Sequence, residues 1–292
     1  MSCSIVTAVH NQSAYTWLFL DSLRKTVRTA HQVVVVDNGS RDATPSVLAR
    51  FATVEVIRNE DNLGISRAWN QGIGAAHGDY IAVCNNDIVF SPGWLSALTA
   101  ELDARPELGA VFATTNHQVL VSDRAHFRVV ADGLAGRPAP GPTWTQVDRF
   151  YHGGFFAFTQ EFGRRYGVVR LRRDCIACSL FRRAAFEAAG LFDEGLGPGW
   201  EDVDLIQRML LQPPHLLYET VGSAYVHHFG AVTRAQFPGP QLLPDRFNRK
   251  WHPFGTLAIG RYEGGCSRQD LAGLRADIAP VLPFLAEGRV GP

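Results

Sequence analysis

The sequence predicts an α/β fold built on a mostly parallel central sheet with helices on its faces. Three observations predict it. Strand-like and helix-like segments alternate through roughly the first 110 residues, the pattern of repeated βα units. Val33-Val34-Val35-Val36 is an unbroken valine run, as in a strand covered on both faces. Two apolar segments end in acidic, amide-rich turns, at Asp37-Asn38-Gly39-Ser40 and at Asn85-Asn86-Asp87. In a parallel sheet those turns share one edge, where a nucleotide binds.

The elements follow in order. Ser4 to Val9 reads as a buried strand ending at His10-Asn11, and Tyr15 to Thr29 has helical spacing of Trp17, Leu18, Leu20 and Leu23. The valine strand ends in a strong turn signal. Arg41 to Phe51 is a short helix that tolerates Pro45 in its first turn. Val54 to Ile57 is a third strand, Gly64 to Ala76 a third helix, Tyr80 to Val83 a fourth strand and Ser91 to Leu102 a further helix. Residues 117–170, rich in Gly and Pro, read as a loop-rich excursion, a lid or acceptor-facing segment. Residues 175–181 read as a strand, Ala184 to Ala189 as a short helix, and Glu201 to Leu211 as a helix stopped by Pro213-Pro214. Leu216 to Tyr218 and Ala224 to Val226 read as two short strands. After Phe237 a Pro-rich join leads to a tail with a helix from Arg268 to Ile278. The expected organisation is one domain over 1–236, with a regular strand–helix half (1–116) and a less regular half (117–236), followed by a C-terminal extension over 237–292.

Bulk properties narrow the function. With 292 residues, 46% hydrophobic and 19% charged, the chain is globular rather than disordered. Its 28 basic residues balance 28 acidic ones, which gives no support for a general nucleic-acid binder. Residues 1–20 lack a signal peptide's basic n-region, and no run of 18 apolar residues suggests a transmembrane helix. The five scattered cysteines do not suggest a disulfide framework, so a reducing, cytoplasmic location is expected, with peripheral membrane contact left open. Cys175-Ile176-Ala177-Cys178 stands alone and favours buried structural thiols over a metal site.

Chemistry concentrates in a few places. Gly72, Gly74 and Gly78 sit at the end of a helix and before a strand, the reverse of a dinucleotide fingerprint, and no Walker sequence is present. Asp37 ends the valine strand, where it either binds a base or ribose or closes an Asx turn. Asp87 ends the fourth strand. A carboxylate there needs a cation, a donor or water, and hard divalent cations prefer oxygen ligands. Trp200-Glu201-Asp202-Val203-Asp204 places three acids at a helix start, where they offset the macrodipole. Asp204 is four residues before Arg208 and can pair with it along the surface. Asp202 lies roughly 200° around the helix from Asp204, free to face a cleft. The helix dipole favours its ionised form, as a general base requires. His227-His228 follows a short strand, and neutral imidazole is a common metal ligand.

Taken in order, these segments resemble the family 2 nucleotide-sugar glycosyltransferases of the GT-A fold. The matching stretches are Ser4 to Asn11, Val33 to Thr44, Asn62 to Asn70, Gly78 to Asp87, Pro92 to Leu95, Phe181 to Arg183, Gly190 to Glu194, Trp200 to Leu205 and His228 to Thr233. The resemblance implies that Asp37 binds the nucleoside, with Val9-His10 and Asn62 lining the base pocket and Trp69, Asn85 and Asn86 on the donor. It implies that Asp87 is the metal-binding end of an Asp-x-Asp motif and His228 a second ligand, with His227 its rival, for Mn2+ or Mg2+. It implies that Asp202 is the base of an inverting transfer and that Trp200 and Glu201 meet the acceptor. Asn85 replaces the first Asp of the motif, and Asn-Asn-Asp resembles the rhamnosyl- and galactofuranosyltransferase-like branch. Trp69 stands where some members carry Arg, leaving a UDP-, dTDP- or GDP-sugar donor open.

Arg164, Arg165, Arg170, Arg172 and Arg173 form a basic run that suits either an anionic acceptor, such as a lipid-linked sugar, or a solvated surface. The competing reading is a non-catalytic sugar-nucleotide or glycan-binding module on the same fold. A nucleotidyltransferase would need a Gly-rich phosphate loop, which Ala8-Val9-His10-Asn11 is not. A homo-oligomer is compatible with the sequence.

Overall fold

The computed structural model is described for residues 1–116, 142–152, 154–167, 170–171, 177–197, 199–230, 244–256, 259–260 and 268–279. Strand β1 (Cys3–Val9) leads through α1 (Ser13–Thr26) to β2 (Gln32–Asn38), then α2 (Thr44–Leu48), β3 (Val54–Asn59), α3 (Ile65–Ala75) and β4 (Tyr80–Asn85). The short β5 (Ile88–Phe90), α4 (Trp94–Ala104) and β6 (Leu108–Thr115) complete the first half. Then come α5 (Trp144–Phe150), α6 (Phe155–Tyr166), β7 (Arg170–Leu171), β8 (Cys178–Arg182), α7 (Arg183–Ala189), α8 (Glu201–Leu211) and β9 (Leu217–His228). Two helices follow, α9 (Pro244–Trp251) and α10 (Arg268–Ile278).

One sheet organises the molecule, in the order β3-β2-β1-β4-β8-β6-β9-β5, with β7 also on β9. The four strands from β3 to β4 are parallel, as the βα alternation predicts. Beyond β4 the sheet is mixed: β8 pairs antiparallel to β4 and β6, β9 runs parallel to β6, and β5 and β7 pair antiparallel to β9. The chain moves outward from β1 to β3 and returns to place β4 beside β1. That reversal opens a crevice at the carboxyl ends of β1 and β4, where α/β folds bind ligands.

The valines of β2 are buried on both faces. Each such side chain contributes about 1.5–3 kcal/mol by leaving water. Helix α3 lies against β1 and β2, and Gly72 permits the approach: a Cβ there would sit 2.4 Å from Val6 Cγ1. The glycines that mimic a dinucleotide fingerprint thus include a packing residue.

The structure departs from the sequence expectation in the second half. Strand β6 was not anticipated, and the two short strands expected at 216–218 and 224–226 are one, β9. The register against β6 jumps between Ala113↔Val221 and Thr114↔Tyr225, so a bulge, not a chain break, separates the apolar stretches. Part of the expected loop-rich excursion is helical. Thr143 and Gln146 form a reciprocal capping box that starts α5, a signature readable as Thr-x-x-Gln. Trp144 Nε1 then donates to Asp21 Oδ2 at 2.6 Å, tying α5 to α1. The glycines and prolines at 133–141 lie outside the described residues.

Cys84 and Cys178 face each other on β4 and β8, buried, with sulfurs 3.8 Å apart, and Cys3 is also a buried free thiol. Cys175 and Cys266 lie outside the described residues. No helix among the described residues is long and apolar enough to cross a membrane.

Candidate functional site

The first group of side chains gathers where β4 ends. Strand β5 pairs with β9 in the register Ile88↔His228, and the Phe229 N–H donates to the Asp87 carbonyl at 2.9 Å. This ladder sets His228 beside Asp87: Nε2 lies 3.1 Å from Oδ1, and the Asn85 amide nitrogen is 3.3 Å from the same ring nitrogen. Asn116, just past β6, accepts the His228 backbone N–H at 2.7 Å and anchors the end of β9. Asn86 turns inward, its amide 3.4 Å from Thr16 Oγ1 on α1. The Tyr15 ring stands edge-on to Phe229, 5.1 Å away. Burial, reinforced by the Asp87 carboxylate, raises the Tyr15 phenol above its ordinary range.

His227 points the other way. It is buried, its Nδ1 2.7 Å from the Tyr151 hydroxyl, among the rings of Phe150, Tyr151 and Phe229. Successive side chains of a strand alternate faces, so only one of the two histidines can join Asp87.

Asp87 and His228 suit a divalent cation of the Mn2+ or Mg2+ kind. One carboxylate oxygen and one imidazole nitrogen converge, and neither side chain is sealed off, at 8% and 15% exposure. No cluster of three His, Cys, Asp or Glu able to hold a metal occurs among the described residues. A cation here would therefore complete its shell from substrate phosphates and water, which is how such ions bind at phosphate sites.

The second group of side chains gathers where β2 ends. Asp37 lies opposite Val9 in the β1–β2 register, and Val9 is buried. Asp37 is also fully buried, and both of its oxygens are engaged. Oδ1 accepts the Ser40 N–H at 2.9 Å, and Oδ2 meets the Arg58 guanidinium from β3. These contacts hold the Asp37 carboxylate in the turn that follows β2. The neighbouring Asn38 organises the rest: its Nδ2 donates to Asn62 Oδ1 at 2.8 Å, and its Oδ1 accepts from Asn59 and the Leu63 N–H. Asn62 is exposed at this rim, and His10 Nδ1 is 2.9 Å from the Asn38 carbonyl. Trp69 does not reach the rim. It is buried in the core face of α3 with its ring 5.0 Å from Phe192.

Helix α8 carries the acidic cluster. Its first turn exposes Asp202 partly, while Glu201 is buried. Glu201 accepts the Trp200 N–H at 2.9 Å. Burial, then the adjacent Asp202 charge, raises the Glu201 carboxyl to about 7. The expected surface pair Asp204–Arg208 exists but is buried: Arg208 Nε and Nη2 both lie 2.9 Å from Asp204 Oδ2. Asp204 Oδ1 is held from another quarter, by Lys250 Nζ at 2.8 Å and Trp251 Nε1 at 2.9 Å. Trp200 packs against Phe247, with ring centroids 4.7 Å apart. Asn70 on α3 bonds the Phe192 carbonyl at 2.9 Å and joins the loop before α8 to the helix packed on β1 and β2.

Four contributors escaped the sequence reading: Asn116, Tyr15, Arg58 and Lys250. Asn116 had a readable signal, Thr-Thr-Asn at the end of an apolar run, parallel to the other polar strand ends. Of the basic run, Arg164 pairs with Glu161 and Arg165 lies over the Tyr166 ring, both on α6. Arg172 and Arg173 and the Arg170 side chain lie outside the described residues.

Residues 4–189 match the family glycosyl transferase family 2. The chain belongs to that family. Among curated relatives, the N-acetylglucosaminyl-diphospho-decaprenol L-rhamnosyltransferase of Mycobacterium tuberculosis is 28% identical over 257 residues, 82% of this chain and 79% of the relative. The putative glycosyltransferase EpsH of Bacillus subtilis is 30% identical over 94 residues, 31% of this chain, and the match spans only 27% of that protein. Among solved structures, the mannosyltransferase PcManGT of Pyrobaculum calidifontis, in complex with GDP-Man and Mn2+, superposes with a TM-score of 0.57 at 16% identity. That superposition covers 98% of this chain and 72% of the other. S. aureus TarS 1-349 with UDP-GlcNAc gives 0.55 at 14%, over 97% and 73%. These likenesses establish the GT-A fold. The family match ends before Asp202 and His228, so the roles of those two rest on their geometry and on the sequence resemblance.

Proposed function

We propose that this family 2 glycosyltransferase is a metal-dependent, inverting enzyme of the rhamnosyl- or galactofuranosyltransferase-like branch. It would move a sugar from a UDP-, dTDP- or GDP-sugar to an acceptor hydroxyl, in the first instance that of a diphosphate-lipid-linked sugar. The observation that carries the reading is the Asp87–His228 pair at the crevice between β1 and β4. The long match to a rhamnosyltransferase whose name specifies a lipid-linked acceptor supports the branch.

Asp87 and His228 hold the cation, which when bound neutralises charge on the departing diphosphate. The rim of Asn62, His10 and Val9 receives the nucleoside, with Asp37 and Asn38 keeping the rim in shape. Asn85 offers its amide toward the sugar, while the inward-turned Asn86 braces the strand end against Thr16. Asp202 accepts the proton of the acceptor hydroxyl as its oxygen attacks the anomeric carbon from the face opposite the diphosphate, which inverts the centre. Buried Glu201 keeps its own proton near neutrality and leaves the negative charge to Asp202. Trp200 offers a flat apolar face to an acceptor sugar.

A thermal-shift screen of UDP-, dTDP- and GDP-sugars with Mn2+ or Mg2+ tests the donor half. A ligand at about 100 times its Kd adds about 2.7 kcal/mol to the native state. One metal-dependent donor should raise the melting temperature. Nucleoside diphosphate release that depends on polyprenyl-diphosphate-linked N-acetylglucosamine then tests the acceptor half. Donor binding with no transfer to any hydroxyl acceptor would favour the non-catalytic binding module.

A further inference from the structure

Helix α9 begins after the family-matched region ends, yet its side chains are embedded beside the acidic cluster. Phe247 and Trp251 are fully buried, and Lys250 is only 7% exposed. Lys250 Nζ lies between two carboxylates, 2.8 Å from Asp204 Oδ1 and 2.7 Å from Asp193 Oδ2. Trp251 Nε1 donates to the same Asp204 oxygen at 2.9 Å, and Phe247 packs on Trp200. Gln207 Nε2 reaches the Gly255 carbonyl at 3.0 Å, one turn further along α8. Asp193 belongs to the loop that Asn70 ties to α3. Burial alone would raise the Asp193 carboxyl, but the Lys250 ammonium, the Gly195 N–H and Arg246 hold it below the usual range. Its charge is thus matched to the ammonium.

Surface packing would not need this arrangement. A buried ammonium is costly unless it is paired and hydrogen-bonded, and here it bridges two separate segments. Those segments are the first turn of α8, which carries Trp200, Glu201 and Asp202, and the loop joined to α3. Asp204 is two residues from Asp202 on the same turn, so fixing Asp204 fixes the direction in which Asp202 leaves the helix.

We propose that Lys250, with Trp251 and Phe247, forms a clamp that positions Asp202 and Trp200 against the donor half, making α9 part of the transfer machinery. Lys250 acts through Asp204 and Asp193 and is a positioning residue. The inference rests on the glycosyl-transfer reading for its functional consequence, and on the packing alone for the clamp.

The test compares Lys250→Met, Lys250→Arg and Trp251→Phe, which removes the indole N–H donor together with part of the ring. Each is measured for melting temperature, for affinity toward the donor sugar nucleotide with Mn2+, for kcat and acceptor KM, and for amide hydrogen exchange of residues 199–206. In Lys250→Met, donor affinity should stay within about twofold while kcat falls at least about tenfold, and exchange should rise in 199–206 but not in β1 or β4. Lys250→Arg should recover kcat to within about threefold. If Lys250→Met does not fold, Trp251→Phe should show the same pattern at smaller amplitude. Wild-type kcat in folded Lys250→Met, or equal loss of donor affinity and kcat in every variant, overturns the proposal. If the wild type transfers no sugar, the glycosyl-transfer reading fails by itself. Unchanged exchange in 199–206 would then still overturn the clamp, and raised exchange would sustain it.

Discussion

His228 Nε2 lies 3.1 Å from Asp87 Oδ1, although His228 ends β9 and Asp87 lies in the two-residue bend between β4 and β5. The β5–β9 register, with the Phe229 N–H donating to the Asp87 carbonyl at the end of the ladder, sets this approach. Groups placed by rigid strands are held more precisely than groups on free loops.

Asp87→Ala and His228→Ala should therefore abolish the Mn2+-dependent part of donor binding while leaving the fold intact. A loss on the order of 100-fold in metal-dependent donor affinity is expected for either variant, measured by calorimetry with and without Mn2+. Donor affinity that stays equal in both conditions and unchanged by either substitution would remove the metal from the mechanism.

Asp202→Asn keeps the size of the side chain and takes away its basicity. With Asp202 as general base, kcat should fall by roughly 10²–10⁴ while donor affinity is preserved. Steady-state transfer assays beside donor titrations read both quantities. Transfer at the wild-type rate would send the base assignment elsewhere on the α8 turn.

Glu201 gives a pH signature of stability. Its carboxyl is raised from 4.5 to about 7 by burial and by Asp202. Between those values the folded chain holds a proton that the unfolded chain has released. Stability from this group is thus complete below the unfolded value and is lost as pH rises through about 7. The loss can reach roughly 3 kcal/mol, since each unit is worth about 1.4 kcal/mol. Urea denaturation from pH 5 to 8 should show the wild type weakening across this range and Glu201→Gln declining less. Identical slopes for the two proteins would remove Glu201 as the source.

The first half of the fold was legible because its central strands are buried on both faces and announce themselves as apolar runs. Val33 to Val36 is read without context, and so is the polar end of each strand. Trp69 and Asp37 were legible as positions but not as environments. A sequence shows that an aromatic or an acid sits near a strand end, but not that Phe192 or Arg58 will cover it from more than twenty residues away. The Asp204–Arg208 pair was visible from its spacing, while its burial depends on Lys250 and Trp251, which arrive from the far end of the chain. The bulge in β9 splits its pattern into two apolar runs although the strand is continuous, which hides from the sequence the ladder that carries His228. Helix periodicity and strand alternation are local, and the α8–α9 clamp is not.

That same ladder separates the two histidines, and the separation can be tested. His227 sits on the opposite face of β9, with Tyr151 as its hydrogen-bond partner. Tyr151→Phe would leave His227 Nδ1 buried without that bond, a cost of about 1–3 kcal/mol. His227→Phe replaces the ring within an aromatic cluster and keeps most of the packing. Both variants should lower the melting temperature, and neither should change the Mn2+ dependence of donor binding, in contrast to His228→Ala. Strand alternation requires this outcome: a ring on the Tyr151 face cannot also reach Asp87 without a register shift that would turn His228 away. If His227→Phe removed the Mn2+ dependence while His228→Ala retained it, the β5–β9 register itself would be wrong by one residue.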